Sequence, residues 1–92
     1  MYLEIISPEA TLFAGEIESL TLPGTDGSFQ LLENHAPIVS TLQAGKVKIK
    51  GNISISENYQ SKFEKINKDE TLFSISSGTV EMRANKIILL SD

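Results

Sequence analysis

The sequence predicts an all-β domain, a flattened antiparallel β-sandwich of two sheets built from about ten short strands. Three observations predict it. Short stretches rich in Ile, Leu, Val, Phe and Thr recur along all 92 residues. Turn-forming pairs punctuate them at the intervals typical of sandwiches and barrels. Apolar spacing of three and four residues, the mark of a helix, is almost absent.

The elements follow in order. Residues 2–6 read as the first strand, then 11–22, 28–32, 38–42, 46–50, 52–56, 71–76, 79–83 and 86–90. Between them stand Ser7-Pro8, Pro23-Gly24, Asp26-Gly27, Ala44-Gly45, Gly51-Asn52, Ser77-Gly78 and Ala84-Asn85. Val47 and Ile49 alternate with lysines, and Val80 and Met82 with Glu81 and Arg83, so each sheet has a core face and a wet face. Within 11–22 the phase changes between Ile17 and Leu20. One strand can face both inward only through a bulge near Glu18-Ser19, unless Ile17 serves a second apolar surface. Tyr59, Phe63 and Ile66 sit at helical spacing in Asn58–Asp69. The Ser, Asn, Lys and Glu content there favours a hairpin extension or long loop. The expected core includes Leu3, Ile5, Leu20, Leu22, Phe29, Leu31, Val47, Ile49, Leu72, Val80 and Ile88.

Composition narrows the function. Eight Lys and Arg against twelve Asp and Glu give a net charge of -4, which opposes nucleic-acid binding. The basic run Lys46, Lys48, Lys50 reads as a solvated strand face or guarded sheet edge. Without cysteine, neither disulfides nor thiolate metal sites supplement a thin core. No stretch reaches the ~20 apolar residues of a membrane span. The opening Met1-Tyr2-Leu3-Glu4-Ile5-Ile6 reads as a mature strand rather than a leader, so membrane association is expected to be indirect.

Catalytic chemistry finds little support. His35 is the one histidine, and no nucleophile elbow or metal-binding spacing surrounds it. Asn34-His35-Ala36-Pro37 reads instead as a rigid corner, because Pro37 fixes its own φ and holds Ala36 extended. Pro23-Gly24-Thr25-Asp26-Gly27 has two glycines but lacks the Lys-Ser/Thr of a phosphate loop, and a strand follows it. No cofactor, metal or catalytic residue is expected. The residues alone describe a small β binding module.

The run Leu22-Pro23-Gly24-Thr25-Asp26-Gly27-Ser28-Phe29, with Leu31-Leu32 and His35-Ala36-Pro37-Ile38-Val39, resembles the N-terminal domain of the F-type ATP synthase epsilon subunit. Ile6-Ser7-Pro8-Glu9 and Leu12-Phe13-Ala14-Gly15-Glu16 match the opening strands of that family. Ser77-Gly78-Thr79-Val80-Glu81-Met82 and Asn85 to Asp92 resemble its last hairpin. The likeness is colinear over nearly the whole chain, except about Asn52 to Asp69. Ser28, Gln30 and Glu33-Asn34 depart from a frequent acidic residue, a glycine and a Pro-Gly pair.

The resemblance implies one 1–92 domain of two five-stranded sheets in the rotor of a proton- or sodium-translocating synthase. There it would couple the c-subunit ring to the gamma subunit at the cytoplasmic face of the bacterial inner membrane. It implies ring contacts from Asp26, Ser28, Glu33, Asn34 and His35, and gamma contacts from Ser7, Ser40 and Leu42. Only the strand Phe29 to Leu32 joins the two ring loops, so they are expected near the same end or edge of the sandwich. Family members usually continue into an inhibitory helical hairpin that in some binds ATP. The sequence stops at Asp92, so tight nucleotide binding is not expected of it. The competing reading is an unrelated carbohydrate- or protein-binding sandwich. A sugar site usually exposes aromatics, and two Tyr, four Phe and no Trp, mostly at core positions, disfavour it.

Overall fold

The computed structural model describes residues 1–92. Ten strands are present: β1 (Tyr2–Ile6), β2 (Thr11–Glu16), β3 (Ser19–Gly24), β4 (Gly27–Leu31), β5 (Ile38–Leu42), β6 (Gly45–Lys50), β7 (Phe63–Asn67), β8 (Glu70–Ile75), β9 (Gly78–Arg83) and β10 (Lys86–Ser91). A short 3-10 helix, Glu57–Lys62, precedes β7 and is capped by the Ser56 side chain.

The strands form two layers, β2-β1-β10-β9-β5 and β4-β3-β6-β8-β7. One bridge, Gly24 opposite Leu42, joins them through β3 and β5. The pairings are antiparallel with one exception: β1 runs parallel to β10, with Tyr2 opposite Lys86 and Ile6 opposite Leu90. The lysine-bearing β6 lies between β3 and β8, so the basic run is a sheet face and not an edge. There Lys48 Nζ meets Glu70 at 2.7 Å and Lys46 Nζ meets Glu64 at 3.3 Å.

Period-two burial makes the core. Leu3, Ile5, Leu20, Leu22, Leu31, Val47, Ile49 and Val80 are buried as expected, and each contributes about 1.5–3 kcal/mol before entropy is subtracted. Phe29 is half-buried against this cluster. Leu72 and Ile88 are corrections. Both lie on outer faces and are half-buried, while Phe73, Ile87 and Leu89 take the inner positions.

The phase change in 11–22 marks a corner. The chain leaves β2 of one layer and enters β3 of the other across Ile17-Glu18, and Ile17 stays buried. The expected strand at 52–56 is absent. Its Ile53 is buried and its Ile55 packs on the core, but its backbone pairs with no neighbour. In Asn58–Asp69 the expected hairpin extension is realised by β7, which pairs with β8, with the 3-10 helix before it.

Candidate functional site

The strand registers sort the loops onto two ends. At one end lie the β1–β2, β3–β4, β5–β6 and β8–β9 turns. At the other lie the β4–β5 loop, the β9–β10 turn and Met1. Asp26 and Ser28 belong to the first end and Glu33, Asn34 and His35 to the second, because β4 carries the chain from one to the other. The expectation of a shared end is therefore corrected, while both loops still flank one edge strand, β4. A five-residue strand at ~3.3 Å per residue separates them.

The β3–β4 turn is held tightly. Thr25 N–H donates to Thr41 O at 3.2 Å, and the Thr25 and Thr41 hydroxyls lie 2.9 Å apart. Gln43 Nε2 donates to Gly24 O at 3.0 Å. A Cβ on Gly24 would lie 2.7 Å from both Gly27 O and the Phe29 ring, and Gly27 has φ +123, so each glycine is required by its position. Asp26 and Ser28 are left exposed on a stiff support.

The second end has its own clamp. Asn34, with φ 65, bonds Asn85 across the β9–β10 turn. Glu33 Oε1 lies 3.5 Å from the Met1 amine. His35 N–H donates to Leu32 O at 3.1 Å, and its Nδ1 lies 2.6 Å from Ala36 O in an exposed setting. Beside this loop Leu32 is 52% exposed and Val39 74%. No group of three or more His, Cys, Asp or Glu comes together there or elsewhere.

The remaining candidates disperse. Ser7 closes the β1–β2 turn at the Asp26 end, where its Oγ accepts from Ala10 N–H at 3.3 Å. Ser40 is half-buried on β5, and its hydroxyl donates to Thr41 O at 3.2 Å. Leu42 is 3% exposed and belongs to the core, since it shares the inward phase of β5 with Ile38 and Ser40. Val39 and Thr41 carry the outward phase. Sequence reasoning passed over Val39, although alternation against buried Leu42 marks it as the exposed apolar residue.

The chain matches the family described as the ATP synthase, Delta/Epsilon chain, beta-sandwich domain over residues 1–92. It is 37% identical over 90 residues to the ATP synthase epsilon chain of Chlorobium limicola, covering 98% of this chain and 86% of that one. To the epsilon chain of Leptospira interrogans it is 38% identical over 90 residues, spanning 59% of that relative's length. The fold is similar to a chain in the central stalk/c-ring structure of the Tetrahymena thermophila mitochondrial ATP synthase. There the TM-score is 0.68 at 17% identity, with 99% of this chain and 62% of that one covered. A chain of the Euglena gracilis mitochondrial ATP synthase aligns with a TM-score of 0.73 at 14% identity, over 97% of this chain and 48% of that one. A full-length family match, two epsilon-chain relatives and a ten-strand architecture agree: the chain belongs to the ATP synthase delta/epsilon family, as the β-sandwich domain of an epsilon chain.

Proposed function

We propose that this domain transmits torque in a rotary ATP synthase, with its Asp26 end on the c ring and its β5 side on the gamma subunit. Epsilon chains are non-catalytic stalk components of a membrane-associated complex, and no helix here is long and apolar enough to cross a membrane. Attachment at the cytoplasmic face of a bacterial inner membrane is then through partners, with either proton or sodium as the coupling ion.

The separation of the two loops carries the assignment. A flat ring that meets one end of the sandwich would touch Asp26 and Ser28 and leave Glu33, Asn34 and His35 at the far end. The Asp26 end offers rigid polar turns that lose little entropy on docking. The other loop, stiffened by Pro37 and by Asn85, adjoins exposed Leu32 and Val39, an amphipathic surface suited to a folded protein partner. Ser40 lies half-buried on the inward phase of β5, behind that surface. Ser7 moves to the ring end, and Leu42 supports the surface from within.

Membrane vesicles separate the two contacts. Asp26→Lys with Ser28→Lys is expected to uncouple ion flow from ATP synthesis while gamma still copurifies. Val39→Glu with His35→Glu is expected to release gamma while the sandwich stays folded. Uncoupling by the second pair with gamma retained, and none by the first, would reverse the orientation.

A further inference from the structure

A half-open cleft of about 460 Å3 lies where Gly51–Ser56 and the 3-10 helix cross the open side of β7. Its volume falls in the small-molecule range of roughly 300–1,000 Å3. Ile53, Ile55 and Phe63 give it an apolar body, and Ser54, Gln60, Lys65 and Thr71 supply polar groups. The register places Lys65 directly opposite Thr71 on β7 and β8, so both side chains leave the same, inner face of the sheet.

Two features of this pair are unexplained by the fold. Thr71 is 1% exposed, and its hydroxyl has no hydrogen-bond partner. Such buried groups in folded proteins are nearly always satisfied. Lys65 Nζ donates to Ile53 O at 2.9 Å and has two further N–H groups but no carboxylate partner. The acidic residues nearby in β7 and β8, Glu64 and Glu70, pair with Lys46 and Lys48 instead. The cleft therefore holds one cation, the unpaired Thr71 hydroxyl beside the Ser54 and Gln60 side chains, and an apolar floor.

We infer that this cleft binds a small apolar monocarboxylate, its carboxylate on Lys65 Nζ and Thr71 Oγ1 and its hydrocarbon against Ile53, Ile55 and Phe63. One cation matches one negative charge, and the hydroxyl supplies the second donor that a carboxylate accepts. A phosphate dianion would call for a second cation, and Lys65 is the one cation of the lining. The wall is suited to admitting a guest, because Asn52 to Ile55 form no backbone ladder. Side chains hold it instead: Lys65 on Ile53 O and Gln60 on Ile55 O at 3.2 Å. Moving it would break no sheet hydrogen bond.

Amide NMR titration of the 92-residue chain with sodium octanoate tests this, against octylammonium chloride and 1-octanol. Saturable shifts are expected at Ile53–Ile55 and Lys65–Thr71, with octanoate bound about tenfold more tightly than octylammonium. Lys65→Met is expected to weaken octanoate about tenfold, and Lys65→Arg to restore it. Thr71→Val keeps the volume, removes the unpaired hydroxyl and is expected to weaken octanoate while leaving the chain folded. Equal binding of octylammonium, shifts centred elsewhere, no saturation, or an undiminished affinity in Lys65→Met would each overturn the inference.

Discussion

Asn34 and Asn85 clasp each other: the Asn34 backbone N–H donates to Asn85 Oδ1 at 2.6 Å, and Asn85 Nδ2 donates back to Asn34 Oδ1 at 3.0 Å. Both residues adopt left-handed backbone, φ 65 and 61, which asparagine tolerates. The clasp fastens the loop bearing His35 to the β9–β10 turn. Asn85→Gly keeps the backbone conformation and deletes both bonds, so a loss of about 0.5–1.5 kcal/mol per bond is expected. Asn85→Ala adds left-handed strain of about 1–2 kcal/mol. Urea unfolding should rank native above Gly above Ala, with faster amide exchange at His35 in both variants.

Gly24 and Gly27 flank the same turn and should respond differently to alanine. At Gly24 the methyl would meet Gly27 O and the Phe29 ring at 2.7 Å, a clash with backbone and ring. Overpacking of this kind costs about 1–3 kcal/mol, and relief requires the turn to open. At Gly27 nothing lies within 4 Å, so only the φ of +123 opposes the methyl. Both variants should be less stable in thermal melts, but only Gly24→Ala should disturb the Thr25–Thr41 contacts. Unchanged Thr41 chemical shifts in Gly24→Ala would contradict the packing.

Phe63 and Phe73 stack with ring centroids 4.9 Å apart and planes 28° from parallel. Phe73 is buried on β8, whereas Phe63 is half-buried on the edge strand β7. Phe73→Ala should cost about 3–5 kcal/mol, and Phe63→Ala clearly less. A double-mutant cycle should return a coupling of about 0.5–1.5 kcal/mol. Strict additivity would show that the rings do not interact.

Acid should loosen two exposed contacts. The bond from Lys48, then that from Asn67, holds the Glu70 carboxyl below the usual glutamate range. The backbone N–H groups of Ser76 and Ser77, at 3.1 and 3.3 Å, hold Asp92 below the usual aspartate range. A carboxyl depressed in the folded state stabilises fully above its unfolded value. That contribution fades as pH falls below about 4 and passes the folded value. Lys48→Met should raise the Glu70 midpoint in an NMR titration and flatten the acid limb of stability there. An unmoved midpoint would refute the pairing.

Most hairpins were legible because Gly, Asn and Pro mark their turns: Asp26-Gly27, Ser77-Gly78 and Ala84-Asn85 each sit where the chain reverses. Misreadings arose where local pattern leaves a choice. Leu72-Phe73 and Ile87-Ile88 place apolar residues side by side, and alternation alone does not say which points inward. Ile53 and Ile55 alternate with serines as a strand would, yet a strand needs a neighbour, and Gly51 at φ +146 turns the segment away from β6. The loops at Asp26 and His35 were recognisable as rigid polar corners. Their placement at opposite ends depends on β4 running antiparallel to β3 at full length, a tertiary fact.

The parallel pairing of β1 with β10 has a kinetic consequence. It sets Tyr2 against Lys86, so that layer is incomplete until β10 has been made. The β1–β2 hairpin must wait with an apolar face and a free edge, while β3, β6, β7 and β8 assemble from nearer sequence. Topologies dominated by such distant contacts fold slowly, on the order of milliseconds to seconds. A nascent chain of this kind is most vulnerable to aggregation just before β10 emerges, and the waiting edge of β1 is where a stray strand would attach.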